Sequence, residues 1–230
     1  MVTNVRRHRE AKTKQSVSRS RLRAQFLSWH QRASRLDDAR IDQVLGIQER
    51  MVERGLNMCK LAGRYASERY EYGGTSYSVI RDALKGLDPC QDDVFYDLGA
   101  GYGRVLFYGA LTHSARFRGI ELVPQRVTEA NRIKRRLSLK RLDFRQGNAQ
   151  TVDFSDGNLF FFANPFFSDV LRVVGARLRK IASVHSIKIA SVGDSNIYFA
   201  KQRWLAERNL LPIRASHGPF DDLRFFVSTS

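Results

Sequence analysis

Short apolar runs alternate with amphipathic segments from about residue 78 to the end of the chain. The apolar runs are enriched in β-branched and aromatic residues and predict strands, whereas the segments between them repeat apolar positions with helical spacing. The predicted strands are 94–96, 116–122, 142–146, 158–163, 186–192, 211–216 and 223–228. The predicted helices are 78–87, 104–111, 124–140, 168–181 and 195–208. Strands that alternate with helices are typical of a doubly wound α/β fold with a mostly parallel sheet of seven strands.

The last two predicted strands differ from the others because a turn, His217-Gly218-Pro219, separates them instead of a helix. Such a turn predicts an antiparallel hairpin at the edge of an otherwise parallel sheet. This would complete an α/β domain over residues 70–230.

Residues 1–69 are helical and basic in pattern, so we expect an N-terminal extension there. The first fifteen or so residues have a composition typical of disorder. A helix is predicted from Ser18, with Leu22, Phe26 and Trp29 on one face. Apolar positions between 36 and 61 predict a helical pair that covers the core domain, interrupted near Gly46 or Gly55.

The charge of the chain points to a polyanionic partner. The formal net charge is +16, and residues 1–36 carry ten Lys and Arg against the single acid Glu10. Nucleic acid, a ribosome, a chromatin-like assembly or an acidic membrane surface would each attract such a chain. A basic surface that is merely solvated is the alternative.

The two cysteines, Cys59 and Cys90, match neither a disulfide framework nor a metal site, and the histidines show no ligand spacing, so we expect no metal. A cytoplasmic protein without a transmembrane segment is therefore expected, with nuclear and organellar locations left open.

The strand-turn-helix at 94–111 contains the most informative motif, Asp97-x-Gly99-x-Gly101-x-Gly103. Glycines permit backbone with φ above zero and leave no Cβ in the way of a ligand, while the helix N-terminus offers free N–H groups. A dinucleotide fingerprint has different glycine spacing, and Asp97 would repel a pyrophosphate but suits a cation. Glu121 ends the next strand 22 positions after Gly99, where an acid accepts both ribose hydroxyls of a nucleoside.

This run resembles motif I of the class I S-adenosylmethionine (SAM) methyltransferases. The resemblance implies SAM as cofactor, with Asp97 near its amino-acid end. Asn148, after Gly147, resembles the position that accepts from the adenine amino group, and its side-chain carbonyl can do so. A glycine-rich turn of another α/β protein, or a dinucleotide site, remains open from the motif alone.

The loop Tyr72-Gly73-Gly74-Thr75-Ser76 resembles the pre-motif loop of the non-SET histone lysine methyltransferases, the disruptor-of-telomeric-silencing family. In that family the loop lies over SAM, which makes Tyr72 and Thr75 candidate cofactor-binding residues. The usual glutamate after Tyr-Gly is Gly74 here, so one expected cofactor contact is missing.

The tetrapeptide Asn164-Pro165-Phe166-Phe167 follows a strand that is apolar throughout. It resembles the (D/N/S)-P-P-(F/Y/W) signature of methyltransferases that act on amino nitrogens, with Phe166 in place of the second proline. It also resembles the Asn-Asn-Phe strand end of the lysine methyltransferases. The Asn164 side-chain carbonyl and a backbone carbonyl can accept protons from an amine. The ring of Phe166 or Phe167 can pack against a flat base or against the apolar stem of a lysine.

Together these resemblances predict a SAM-binding domain at 70–230 that transfers a methyl group to an amine nitrogen. A protein lysine is the preferred acceptor, because the pre-motif loop favours it. A DNA or RNA adenine amine is the first alternative, and an inactive methyltransferase-fold module that binds nucleic acid is the second.

Overall fold

The computed structural model describes residues 19–65, 70–211 and 222–229. The strands of the described residues are β1 (Val94–Leu98), β2 (Arg116–Glu121), β3 (Leu142–Gln146), β4 (Leu159–Ala163), β5 (Lys188–Val192), β6 (Leu205–Arg208) and β7 (Arg224–Ser228). The N-terminal helices are α1 (19–31), α2 (Asp38–Leu45), α3 (Glu49–Arg54) and α4 (Met58–Arg64). The later helices are α5 (Tyr77–Leu87), α6 (Arg104–Thr112), α7 (Pro124–Leu137), α8 (Ser168–Ala182) and α9 (Ser195–Ala200).

All seven strands form one sheet in the order β3-β2-β1-β4-β5-β7-β6. Strands β1 to β5 pair in parallel, and β7 runs antiparallel to both β5 and β6. The doubly wound, mostly parallel fold is therefore confirmed. Because β2 and β4 lie on opposite sides of β1, the strand order reverses there and opens a crevice at the carboxyl ends of β1 and β4.

Helices cover both faces of this sheet, and strand side chains alternate between them. Phe95 and Phe161 belong to a core cluster with residues of α1, α2, α5, α6 and α7. Tyr96 and Phe160 belong to a second cluster with residues of α8 and α9. Burial of both faces explains why the central strands are apolar along their whole length.

One predicted element is wrong in type. A single helix was expected over 195–208, but α9 ends at Ala200 and Leu205–Arg208 forms β6. The register Leu205↔Ser228 to Arg208↔Phe225 gives this segment a full antiparallel partner in β7, so long-range pairing overrides the local helical pattern. The sheet does end in an antiparallel pair, but its first strand is Leu205–Arg208, whereas the prediction gave 211–216. Most of the predicted strand 211–216, with the His217-Gly218-Pro219 turn, lies outside the described residues.

The helices of the predicted N-terminal extension share the core of the α/β domain. Phe26 and Trp29 of α1 are buried, and the Phe26 ring lies 5.4 Å from that of Tyr108 in α6. The expected helical pair is three short helices, because Gly46 and Gly55 both stand directly after a helix end. The disorder expected for the first fifteen residues falls outside the described part of the chain. No helix within the described ranges has the length and apolar character needed to cross a membrane.

Candidate active site

A cavity of about 510 Å³ lies in the crevice at the carboxyl ends of β1, β2 and β4. Its size is that of a small-molecule site. The residues predicted from sequence that border it are Tyr72, Thr75, Asp97, Gly99, Gly101, Glu121, Asn148, Asn164, Pro165, Phe166 and Phe167. The structure therefore brings together all the predicted site residues except Gly103, which does not line the cavity.

The glycines of the turn make room for protein side chains. A Cβ added at Gly99, where φ is +94°, would overlap the Cβ of Pro165. At Gly101, where φ is +51°, a Cβ would lie 2.7 Å from the Tyr72 ring, and at Gly103 it would overlap the Phe144 ring. The missing Cβ atoms therefore let the loop before α5, the segment after β4 and β3 pack closely around the turn. Gly99 and Gly101 also line the cavity, and the space they leave for a ligand stays a prediction.

Asp97 and Glu121 are buried acids on the same cavity wall. Burial of Asp97, together with the negative charge of Glu121, raises the pKa of Asp97 to about 8. Among the described residues, no donor contacts the Asp97 carboxyl group. A positively charged ligand in the cavity would therefore offset the cost of ionising this acid.

Glu121 is held by the backbone. Its Oε2 accepts from the Gly101 N–H at 2.8 Å, and its Oε1 accepts from the Val123 N–H at 2.9 Å. Oε2 keeps a second lone pair that can accept from a ribose hydroxyl, whereas Oε1 also lies 3.5 Å from Nη1 of Arg126. The Oδ1 atom of Asn148 accepts from the Gln150 N–H at 2.8 Å, which orients the side-chain amide beside the cavity. These donors and acceptors fit the predicted cofactor.

Tyr72 forms the part of the cavity wall contributed by the loop before α5. Its ring lies 6.0 Å from the guanidinium carbon of Arg104 and 5.5 Å from that of Arg126. It also meets the Tyr102 ring edge-on, with 4.9 Å between ring centroids. Thr75 borders the same cavity. The loop thus packs directly on the glycine turn.

Two arginines on the cavity wall were missed by the sequence analysis. Arg104 pairs with Asp42 through Nε at 3.0 Å and also through Nη2, which contacts Glu49 at 3.2 Å. Arg104 follows the glycine turn directly, so its place beside the cavity could have been predicted. Its acidic partners, 62 and 55 positions earlier in the chain, left no local signal.

Arg126 is paired in the same way with the N-terminal helices. Its Nε lies 2.8 Å from Glu53, which also accepts from the Tyr102 hydroxyl at 2.6 Å. Burial disfavours ionisation of Glu53, but hydrogen bonds from Arg126 and Tyr102 outweigh it, and its pKa is lowered. The helices α2 and α3 therefore hold both cavity arginines in place.

The segment after β4 forms the opposite lip of the cavity. Asn164 has a φ of +52°, rare for a residue with a side chain, and its Nδ2 donates to Asp194 at 3.3 Å. This bond orients the amide, so that Oδ1 faces away from Asp194. Phe166 packs on Phe162 with 6.2 Å between ring centroids, whereas Phe167 is 43% exposed at the cavity edge.

Comparison with known proteins identifies the family and the fold of this chain. The model of the family described as histone methylation protein DOT1 matches residues 55–171, which are 117 of the 230 residues. Among solved structures, an RNA methyltransferase from Salinibacter ruber, crystallised with S-adenosyl-L-homocysteine, is 25% identical with a TM-score of 0.50. The alignment covers 68% of this chain and 92% of that one.

A second similar structure is TrmN from Thermus thermophilus, with 14% identity and a TM-score of 0.50. The alignment covers 67% of this chain and 49% of TrmN. At 14% identity, this similarity supports the fold only. No curated protein sequence matches the chain significantly. The chain belongs to the histone methylation protein DOT1 family and has the Rossmann-like fold of the SAM-dependent methyltransferases.

Proposed function

We propose that this protein transfers the methyl group of SAM to an amine nitrogen, and that the amine is a lysine side chain of a protein. The observation that carries the proposal is the single cavity that joins the acids Asp97 and Glu121 to the segment Asn164–Phe167. One end of this cavity suits a positively charged nucleoside, and the other can receive an amine. Cofactor and acceptor would thus meet in one cavity.

The cofactor supplies an electrophilic methyl group on a sulfonium, and the protein supplies alignment and exclusion of water. Asp97 would offset the positive charge at the amino-acid end, Glu121 would accept the ribose hydroxyls, and Asn148 would accept from the adenine amine. Tyr72 would close the cavity from the side of the loop. Alignment of the reacting atoms is worth up to roughly 7–11 kcal/mol of the barrier.

The acceptor side needs proton acceptors and a dry surface. Asn164 borders this end of the cavity, and a backbone carbonyl there would accept from the incoming amine, because the side-chain Oδ1 of Asn164 is buried. Phe167 would contact the apolar stem of a lysine. A lysine must be neutral to attack, and an apolar pocket favours the neutral form because desolvation lowers the pKa of an amine.

The adenine amine is the second candidate acceptor. It is supported by the resemblance of Asn164-Pro165-Phe166-Phe167 to the amino-nitrogen signature and by the similar RNA methyltransferase. Histone methylation is named in the matching family, and Phe166, where the signature has proline, points inward to Phe162. These two observations favour lysine. The intact set of Asp97, Glu121 and the glycines argues against an inactive module.

We expect the wild-type protein, given SAM with a labelled methyl group, to label protein in a cell lysate. Protease treatment of the reacted lysate should remove the macromolecular label, and nuclease treatment should leave it. The Asp97→Ala variant, which should not bind the cofactor, gives the background. Label that survives protease but not nuclease would replace lysine by a nucleic-acid base as the acceptor, and no label above background would contradict methyl transfer.

The expected polyanionic partner also has a candidate docking surface, which we call the basic groove. It contains a cavity of about 180 Å³ between α1 and the start of β3, and its cationic lining residues are Arg19, Arg23, Lys140 and Arg141. No acid lines it. Arg19 and Arg141 donate to the backbone carbonyls of Ser138 and Ser114, and none of the four pairs with a carboxylate among the described residues. β3 has five residues, so the groove lies roughly 17 Å from the end of the sheet that holds the active site. We propose that it holds phosphates of a nucleic-acid backbone while the acceptor occupies the active site.

Binding of a labelled RNA 20-mer tests the basic groove. The groove variant replaces four cations by glutamine: Arg19, Arg23, Lys140 and Arg141. The control makes the same charge change on exposed residues elsewhere: Arg179, Lys180, Lys201 and Arg203. Four lost phosphate contacts should flatten the plot of log K against log salt by about 3 in the groove variant, because each contact on a single strand contributes about 0.7. Equal losses in both variants would show that only net charge matters.

A further inference from the structure

We infer that Arg104 binds the carboxylate group at the amino-acid end of SAM, and that Gly74 leaves the space in which its guanidinium sits. The inference rests on the proposed use of SAM. It assigns a cofactor-binding role to a residue outside the glycine motif, and it accounts for the missing side chain in the loop before α5.

The guanidinium of Arg104 has one nitrogen to spare. Nε and Nη2 are bonded to Asp42 and Glu49. Within the described residues, no acceptor contacts Nη1. Arg104 itself borders the cavity, which is the side from which an anion would approach this nitrogen.

The other cavity arginine cannot take this role without losing a partner. Arg126 uses Nε and Nη2 on Glu53, and its Nη1 lies 3.5 Å from Glu121. All its nitrogens thus face carboxylates of the protein. Of the two arginines on the cavity wall, Arg104 is the one that can accept a further anion.

Gly74 explains why Nη1 lies where it does. A Cβ added at Gly74 would overlap Nη1 and lie 3.3 Å from the Tyr72 hydroxyl. Any side chain at position 74 would therefore push the guanidinium away from the loop. The glutamate expected at position 74 is absent, and the guanidinium of Arg104 from α6 occupies the space that its side chain would need.

The charges of the site match a zwitterionic ligand end. Asp97 lies on β1 and suits the ammonium group. Arg104 is the first residue of α6, where the helix N-terminus also favours a negative charge. A carboxylate beside Arg104 would therefore meet a guanidinium N–H and the positive end of a helix dipole.

Calorimetry with two ligands tests the inference: SAM, and decarboxylated SAM, which retains the nucleoside, the sulfonium and the amine. Charge-assisted hydrogen bonds support an expected loss of about 10- to 100-fold in SAM affinity for Arg104→Gln. The affinity for decarboxylated SAM should change less than about 3-fold, because that ligand has no carboxylate to lose. The control Arg224→Gln removes an arginine that is also paired with two acids, Asp222 and Glu207, but lies away from the cavity. It should leave both affinities unchanged.

Gly74→Ala provides a second route that keeps the arginine and its acidic partners. It should shift the guanidinium and reduce SAM affinity selectively, although less than Arg104→Gln does. Equal losses for both ligands in both variants, or no loss for SAM, would overturn the role of Arg104 while leaving the proposed function standing. Failure of the wild-type protein to bind either ligand would overturn the proposed function itself.

Discussion

Replacing Asp97 by asparagine is expected to reduce the affinity for SAM strongly. The same substitution should increase the stability of the ligand-free protein at pH 8. Burial of the carboxyl group and, second, the negative charge of Glu121 raise the pKa of Asp97 to about 8, and the residue borders the cavity. A cationic ligand would be its partner. Loss of one partner of a buried ion pair costs about 3–5 kcal/mol, so calorimetry should show affinity reduced by a factor of at least about 100.

The stability effect has a defined sign. The folded-state pKa of Asp97 lies above its unfolded value near 3.8, so folding favours the protonated form. The stabilisation that the protonated Asp97 carboxyl group gives the folded protein is fully present below pH 4. It is lost as the pH rises toward 8, because the ionised carboxylate is more stable in the unfolded chain. Asparagine removes this dependence. Urea unfolding at pH 5 and pH 8 should show wild-type stability falling relative to Asp97→Asn by a few kcal/mol, since one pKa unit equals about 1.4 kcal/mol.

Asp143→Asn is the matched control, because Asp143 lies on β3 with its side chain 46% exposed and pairs with Lys134. It should change neither SAM affinity nor the pH dependence by much. Unchanged SAM affinity in Asp97→Asn would contradict the proposed cofactor site. A stability difference that does not vary with pH would show that Asp97 ionises normally in the folded protein.

The substitution Gly99→Ala should have the second largest effect, a loss of both stability and cofactor binding. The φ of +94° is unfavourable for any residue with a side chain, and the new Cβ would overlap Pro165. Strain of about 1–3 kcal/mol and overpacking of about 1–3 kcal/mol predict destabilisation by about 2–6 kcal/mol. Displacement of Pro165 would also move Asn164, so methyl transfer should fall together with binding.

Gly63→Ala serves as the control for Gly99→Ala, because a Cβ at Gly63 in α4 has no neighbour within 4 Å. It should be neutral or slightly stabilising, since alanine is the better helix former. Thermal unfolding and calorimetry of both variants give the comparison. Wild-type stability in Gly99→Ala would mean that the end of β4 does not pack on the glycine turn as described.

The parts of this protein that were predictable from sequence are those set by local patterns. The apolar runs at β1 and β4, the glycine turn after Asp97, and the acid Glu121 at a strand end each carry their signal within a few residues. Parallel pairing then brings the carboxyl ends of neighbouring strands together, so the cavity and its acids followed from the order of the elements.

The parts that were missed depend on contacts between distant segments. The segment 205–208 has an acceptable helical pattern, and only its pairing with β7 makes it a strand. Arg104 was recognisable as the residue after the turn, but its bonds to Asp42 and Glu49 join positions far apart in sequence. Likewise, no local signal indicates that Pro165 and Tyr72 occupy the space beside Gly99 and Gly101.

The position of β7 has a consequence for how the protein is made on the ribosome. β7 lies between β5 and β6, and the Phe225 ring fills the space beside Gly86 of α5. Until residues 224–228 have been synthesised, β5 keeps an open edge and β6 has no neighbour to pair with. Strands β1 to β4, which frame the cofactor cavity, precede them in translation. The nascent chain can therefore form its cofactor cavity before β7 completes the sheet. During that interval the unpaired edge of β5 is the place where a second nascent chain would pair and aggregate.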